Sequence, residues 1–368
     1  MKVGITCYPT YGGSGIVATE LGLELANRGH EVHFITYANP IRLDPGIPRI
    51  HYHEVEVSTY PLFLYPPYCL ALASRMTEVA EWHGLDLLHV HYAIPHSIAA
   101  LLAKQMLEPK RRLPFITTLH GTDITLVGAD RSYLPITRFS IEQSDGVTAI
   151  SEYLRGQTVE VFGVKNEIQV IRNFVNCEMY RPSASRHWKR KRLLHVSNFR
   201  PVKRVQDCVR VLALVRRHVD AELIMAGDGP ERGPAESLAR QLGVDSYVDF
   251  LGKQDHVERI FPEADVLLLP SEMEAFGLAA LEGMACGLPA VATRTGGVGE
   301  LVTHGVDGFL EAIGDVEAQA ARVVELLSDT ALYGRMSAEA RRTAESRFCT
   351  DLIIPLYEKC YQDVLERR

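Results

Sequence analysis

The sequence predicts an α/β protein built from two doubly wound domains. Three observations carry the prediction. Short, near-continuous apolar runs alternate with longer amphipathic stretches, the pattern of buried parallel strands joined by crossover helices. The alternation occurs twice, on either side of a polar middle segment. Finally, 368 residues exceed what one ordinary hydrophobic core accommodates and fit two.

In chain order, KVGITCY (residues 2–8) opens as a strand. SGIVATELGLELANRGH (14–30) follows with apolar residues at helical spacing and ends on Gly29, a residue suited to the left-handed cap of a helix. EVHFITY (31–37), LDLLHVHY (85–92), PFITTLH (114–120) and DGVTAIS (145–151) complete the first set of strands. Periodicity lapses across 170–192, where polar and turn-forming residues gather. A hinge or linker is therefore expected at 171–191, between an N-terminal domain of residues 1–170 and a C-terminal domain of residues 192–350. RLLHVSNF (192–199), AELIMAGD (221–228), YVDFLG (247–252), DVLLLP (265–270) and PAVAT (289–293) form the second set, with helical patterns such as VQDCVRVLALVRRH (205–218) between them. The last stretch, 351–368, reads as a helix that packs back on the first domain. In such sheets ligands lie beyond the carboxyl ends of the strands, so two facing domains are expected to form a cleft.

Composition narrows the function classes. A hydrophobic content of 46% with 23% charged residues is that of a soluble globular protein. A net charge of −7 argues against nucleic-acid binding, which draws on a basic surface. The basic runs KRR (110–112) and RHWKRKR (186–192) read as solvated surface or linker. Seven cysteines, an odd number without CxxC spacing, point to neither a disulfide framework nor a zinc site. The N-terminus enters a strand without a charged leader and apolar signal core. The greasy tract at 60–74 is interrupted by Pro61, Pro66 and Pro67 and is too short for a membrane span. The cytoplasm is the expected compartment, and the sequence does not fix the oligomeric state, a homo-oligomer being compatible with it.

Gly13-Ser14-Gly15-Ile16-Val17-Ala18 satisfies the G-x-G-x-x-A pattern of dinucleotide sites. That reading requires an acidic residue closing the second strand, to hold ribose hydroxyls. The strand ends instead in Thr36, Tyr37, Ala38 and Asn39, which counts against NAD. What remains is a flexible loop opening a helix, whose free N–H groups favour an anion. Three glycines within four residues, Gly12, Gly13 and Gly15, allow close backbone approach, and Ser14 adds a hydroxyl donor.

Glu274 and Glu282 bracket an otherwise uncharged run in EAFGLAALEG (274–283). An E-x7-E pair alone is a weak pattern. Set between LLLPS and GLPAVAT, and joined by GGSG, RGHEVHFIT, HVHY, TTLHGTD, AGDGPE and GGVGELV, it resembles the retaining, two-domain glycosyltransferases of family 4. The likeness spans most of the chain and implies the GT-B fold, two Rossmann-like domains. ITCYPTYGGSGIVATELG, YPPYCLALAS, LHGTDITLVG and SNFRPVKR are similar to the branch of that family that joins N-acetylglucosamine to L-malate, the first step of bacillithiol synthesis. By this resemblance Glu282 takes the ribose hydroxyls of UDP-N-acetylglucosamine and Glu274 the sugar ring. The backbone N–H groups of Phe276, Gly277 and Leu278 open a helix toward the diphosphate. Gly13, Asn198, Gly227 and Lys253 join the donor-binding set, Lys253 near the base.

Departure of a diphosphate requires charge stabilisation. Metal-dependent transferases often use an Asp-x-Asp pair, and no such tripeptide occurs here, so no metal and no cofactor are expected. Arg200 and Lys203 in SNFRPVKR, just beyond a strand end, offer fixed cations. The common family pattern puts arginine where Asn198 stands; in an extended segment, a shift of two keeps Arg200 on the same side. The alternative for Lys203 and Arg204 is exposure on the next helix. His120 follows a strand and precedes a turn, and by resemblance contacts the donor near the reacting carbon in a positioning and electrostatic role. The pairs His89/His91 and His91/His96 are better explained by packing than by a metal, having no acidic partner. No carboxylate is placed for a covalent sugar intermediate, so the resemblance implies same-face attack, with the departing phosphate taking the acceptor's proton.

Malate brings two carboxylates and one hydroxyl. Candidate donors to it are the amides of Gly12 to Gly15, Ser14, Tyr92, Thr118 and Arg138, the last matching the residue that meets an anionic acceptor in the relative using inositol phosphate. The alternative for Arg138 is a helix ion pair with Glu142. Competing functions are a family 4 transferase with another small or lipid acceptor, a GT-B sugar-nucleotide epimerase, and a non-catalytic nucleotide-sugar sensor. Lipid or polysaccharide acceptors usually call for a basic amphipathic membrane face, which the first domain lacks.

Overall fold

The computed structural model describes residues 1–10, 12–44, 46–58, 61–183 and 189–367. Residues 184–188 of the expected linker, Tyr60 of the apolar tract and Arg368 lie outside the described residues. The chain divides into two compact units, Met1–Arg172 with Ile353–Arg368, and Asn173–Leu352.

The first unit holds seven parallel strands: β1 (Lys2–Thr6), β2 (Glu31–Thr36), β3 (Ile50–Glu54), β4 (Leu87–His91), β5 (Phe115–Leu119), β6 (Gly146–Ala149) and β7 (Ile168–Val170). Their order is β3-β2-β1-β4-β5-β6-β7. The central strands are buried on both faces, which explains their unbroken apolar runs. Helix Gly13–Asn27 returns from β1 to β2 with Val17, Ala18, Leu21 and Leu25 inward. It approaches so closely that a Cβ on Gly22 would lie 2.4 Å from the Phe34 ring. Helix Thr350–Glu366 closes this unit. Tyr357 and Tyr361 are fully buried, the Tyr361 hydroxyl meets His89 Nδ1 at 2.7 Å, and Arg112 donates to the carbonyls of Val364 and Leu365 at the helix end.

The second unit holds six parallel strands: β8 (Lys191–Val196), β9 (Ala221–Ala226), β10 (Val248–Gly252), β11 (Val266–Leu269), β12 (Ala290–Thr293) and β13 (Gly308–Glu311). Their order is β10-β9-β8-β11-β12-β13. One layer of the core is built by helices Val205–Val215 and Val316–Ser328 over the sheet, with Val209, Leu212, Val323 and Leu326 enclosed. Each sheet thus reverses direction beside its own first strand, between β1 and β4 and between β8 and β11. No described helix is long and apolar enough to cross a membrane.

Two features depart from the sequence reading. β3, β7 and β13 are additional strands: β3 alternates polar and apolar residues at a sheet edge, and β7 has only three residues. Cys177 and Cys349 are disulfide-bonded, with Cα atoms 5.8 Å apart, against the expectation of no disulfide. The pairing is a tertiary effect. Val175 donates to Phe348 O and accepts from Thr350 N, which lays the two segments side by side although 172 residues separate the cysteines.

Gly227 follows β9 directly with φ +136°, and a Cβ there would fall on the Ser197 carbonyl oxygen. Gly227→Ala is expected to cost about 3 kcal/mol or more in urea unfolding. Gly233→Ala, in the open helix Arg232–Gln241, is the control and is expected to be neutral or to gain about 0.5–1 kcal/mol.

Candidate active site

In the second unit the loops after β8 and β11 part at the reversal point, and most of the expected donor residues lie on them. The loop after β8 is set by Phe199, a fully buried ring held at φ 38°, and by the turn Pro201–Lys203. Gly229 allows the loop after β9 to close on it, since a Cβ there would stand 2.4 Å from the Asn198 carbonyl oxygen. The backbone N–H of Glu272 donates to Val202 O at 2.8 Å, locking the two reversal-point loops together. From the other side the loop after β12 braces it through Gly297 N to Glu274 O, 2.9 Å.

This scaffold brings Lys203 Nζ within 2.6 Å of Glu274 Oε1, and Ser271 Oγ donates to the same oxygen at 2.8 Å. Arg200 is exposed at the start of the turn. Arg204, whose alternative was an exposed helix charge, is paired to Asp207 at 2.6 Å. Asn198 carries a buried Oδ1 without a hydrogen-bond partner among the described residues. Gly277, at φ 97°, caps helix Leu278–Ala285, whose first turn has no side-chain cap and so presents free N–H groups. The buried Phe276 ring anchors that start edge-to-face on Phe348, with centroids 5.6 Å apart.

Glu282 lies one turn inside this helix rather than at its exposed start, and it is buried. Its Oε1 accepts from the Tyr180 hydroxyl at 2.7 Å. Arg341 holds Tyr180 by donating to its carbonyl at 2.6 Å, and it also bonds the carbonyls of Cys177 and Ala285. Tyr180 and Ser271 were not found by sequence reasoning. Tyr180 lies inside the expected linker, where no periodicity marks it. Lys253 is exposed just beyond β10, an outer strand of the sheet.

In the first unit Gly12, Gly13, Ser14, Tyr92 and His120 lie beyond the carboxyl ends of β1, β4 and β5. Gly12 is extended and opens helix Gly13–Asn27; a Cβ on Gly15 would stand 2.5 Å from Tyr8 O, so the loop hugs the end of β1. Ser14 is partly buried on the first turn, and Gly13 before it is exposed. Tyr92 occupies the left-handed region at φ 89° and stacks on His120 with centroids 5.7 Å apart; Tyr8 meets Tyr92 edge-on at 5.2 Å.

His120 is nearly enclosed, and its Nε2 bonds His91 Nδ1 at 2.8 Å. Burial pushes the His120 pKa down to about 3, so the ring is neutral near pH 7. Asp123, also missed, fastens the turn: its carboxylate accepts from the backbone N–H groups of His120, Gly121 and Ala93 at 2.9–3.1 Å. The signal lay in HGTD, an aspartate three residues after the histidine. Burial raises its pKa to about 6 against those stabilising N–H groups. The four histidines His89, His91, His96 and His120 form a packed, hydrogen-bonded series with Thr118, Tyr361 and the His91 carbonyl.

Thr118, expected among the residues that bind the acceptor, lies within the buried strand β5. Its hydroxyl is buried between His89 Nε2 and Thr148 Oγ1, each at 2.6 Å, because β5 is covered on both faces right up to its end. There the hydroxyl links neighbouring strands of the sheet. Arg138 is exposed on helix Leu134–Gln143, paired with Glu142 at 3.2 Å as the alternative reading anticipated. The helix is docked by Ser140 Oγ donating to Ala93 O at 3.0 Å.

Residues 11–179 match the family model for Glycosyltransferase Family 4, and residues 178–343 that for Glycosyl transferases group 1. The chain is 48% identical over 373 residues to the N-acetyl-alpha-D-glucosaminyl L-malate synthase of Bacillus anthracis, covering 99% of this chain and 97% of that protein. It is 27% identical to the D-inositol 3-phosphate glycosyltransferase of Thermobispora bispora, covering 97% and 91%. Among solved structures, HepE of Anabaena in complex with UDP and glucose superposes with a TM-score of 0.82 at 21% identity, covering 98% and 99% of the two chains. The sucrose-phosphate synthase of Thermosynechococcus elongatus gives 0.81 at 20% identity, covering both chains completely.

The histidines set an acid limit on stability. Burial holds His89, His91, His96, His120 and His195 well below the ordinary histidine value, so they stay neutral when folded. Unfolded rings titrate near about 6.5. Their contribution is complete above that pH and falls as acid drives the unfolded chain to bind protons, by about 1.4 kcal/mol per pH unit for each proton. Asp123 and Asp307 act oppositely, their raised pKa values favouring the folded state on acidification, but they are outnumbered by the buried histidines, to which His33 and His53 also belong. Urea midpoints are expected to drop steeply from about pH 7 to about pH 5; a flat profile contradicts the assignment.

Proposed function

The chain belongs to the family 4 glycosyltransferases, and on that premise we propose that it transfers N-acetylglucosamine from UDP-N-acetylglucosamine to the hydroxyl of L-malate, with retention at the anomeric carbon. This is the first step of bacillithiol synthesis, carried out in the cytoplasm. The observation that carries the reading is the likeness, over nearly the whole chain, to the Bacillus anthracis synthase, whose name states both sugar and acceptor.

The second unit supplies the donor half. The diphosphate meets Arg200, Lys203 and the N–H groups at the start of helix Leu278–Ala285, where the helix dipole favours negative charge. Lys203 is poised between Glu274 and the incoming phosphate, so binding loosens the Lys203–Glu274 pair and frees the carboxylate for the sugar hydroxyls. Glu282, aimed by Tyr180, takes the ribose hydroxyls. Asn198 and the close approach at Gly227 complete the nucleotide side, and Lys253 lies toward the base. These cations and amides balance the leaving charge without a metal.

The first unit supplies the acceptor half. The Gly12–Gly15 amides, Ser14, Tyr92 and Arg138 bind the two carboxylates of malate. His120, being neutral, exchanges hydrogen bonds with the sugar rather than a proton. The anomeric carbon loses its bond to the phosphate oxygen, and the malate oxygen bonds to it on the same face. The departing phosphate takes the hydroxyl proton.

UDP release measured across several UDP-sugars and hydroxy acids is expected only with N-acetylglucosamine donor and malate together. Release independent of malate, or conversion of the donor sugar, overturns the reading. Glu282→Ala is expected to weaken UDP binding in calorimetry by about 10- to 100-fold, and Tyr180→Phe by several-fold. Unchanged UDP affinity in both refutes the ribose role. Arg138→Ala is expected to raise the malate KM by about tenfold or more with UDP affinity preserved; an unchanged KM leaves Arg138 as a helix ion pair only.

A further inference from the structure

The geometry points to a binding site for a divalent transition-metal ion of the zinc class on the first unit, with His33, His53 and His83 as its ligands. Four of the 14 histidines meet here on three separate elements, in a region the reaction does not use. His33 on β2 stands opposite His51 on β3, and Ile35 stands opposite His53, so strand alternation turns residues 33, 51 and 53 to one face. His83 is the last residue of helix Tyr68–His83, fixed there by Gly84 in the left-handed conformation at φ 69°. That helix end leads into β4, which puts the cluster on the side where strands begin, away from the loops of the candidate active site.

The ring of His33 is fully buried, whereas those of His53 and His83 are half-buried. The three ligand nitrogens lie within 4.8 Å of one another, with His33 Nδ1 and His53 Nε2 at 2.9 Å. A tetrahedral ion with bonds of about 2.0–2.1 Å asks for nitrogens roughly 3.4 Å apart. Small rotations of the two half-buried rings reach that arrangement and leave the fourth position to water.

The surrounding groups favour this set over other combinations. His33 Nε2 faces Glu31 Oε1 at 3.1 Å, and Glu31 is held in turn by Lys2 at 3.2 Å. A carboxylate on the far nitrogen fixes the tautomer that turns the Nδ1 lone pair inward, the usual outer support of a metal-bound histidine. His51 stacks on His33 at 4.6 Å and reaches the same carboxylate at 3.5 Å, so it forms part of the surround. Arg75 adds a positive charge near His53, offset by its pairing with Glu78 at 3.0 Å. An all-imidazole set selects zinc, nickel or copper over magnesium or calcium. The bound ion would tie the edge strand β3 and a helix end to β2.

Tag-free protein, stripped with a chelator, is titrated with Zn²⁺ by calorimetry and with Co²⁺ by visible absorption. One ion per chain is expected, with a gain in thermal stability. His53→Ala and His83→Ala are each expected to lower Zn²⁺ affinity by at least about tenfold and to abolish the gain, while His51→Ala changes affinity by less than about threefold. Urea midpoints in chelator, expected to match the parent, establish that the variants are folded. Absence of Zn²⁺ binding to the parent overturns the proposal. So does equal affinity in folded His53→Ala and His83→Ala, or loss of binding confined to His51→Ala.

Discussion

The reversal of strand order beside the first strand of each sheet is the constraint on which the molecule depends. A parallel sheet that begins in its middle sends successive crossovers to opposite faces, so the loops leaving two neighbouring strands separate. Backbone groups there lie outside the hydrogen-bond ladder of the sheet and can turn toward a ligand. In the first unit that opening lies between the loops carrying Gly12 to Gly15 and Tyr92; in the second it lies between those carrying Lys203 and Glu274. The glycines at 227 and 229 let the loop after β9 lie against the backbone of the loop after β8, and Gly15 lets its helix start against the loop that leads into it.

The two openings are chemically unlike. The first is walled by neutral aromatic and imidazole groups, which burial keeps uncharged. The second holds opposite charges in contact, with Lys203 on Glu274, beside an uncapped helix start. Under the proposed function, a neutral wall leaves the anionic acid to be recognised by amides and a peripheral arginine. Under the proposed function, a charged wall can exchange one partner for another, phosphate replacing Glu274 on Lys203. Glu282 differs again: it is buried, and its orientation is inherited through Tyr180 from Arg341.

Much of this was legible in the sequence, for reasons that can be assigned. Strands buried on both faces announce themselves as apolar runs, and the helices between them by their spacing. β3 did not, because its IHYHE alternates polar and apolar residues at an edge. Lys203 and Glu274 meet as an ion pair, although 71 positions separate them and no local pattern links them. The burial of Thr118 was not legible, because nothing in TTLH shows that β5 is covered to its last residue. Tyr180, the Cys177–Cys349 bond and the cluster around His33 share one cause: each is assembled from distant segments whose meeting only the folded chain reveals.

The return of the chain into its first unit bears on synthesis. Tyr357 and Tyr361 fill the interior beside His89, yet they leave the ribosome only after every residue of Asn173–Leu352 has been made. The part translated first is therefore the part completed last. While the second unit is already able to fold behind it, the earlier sheet waits with an uncovered apolar face, and the nascent chain carries that exposed surface until its final turns of helix emerge.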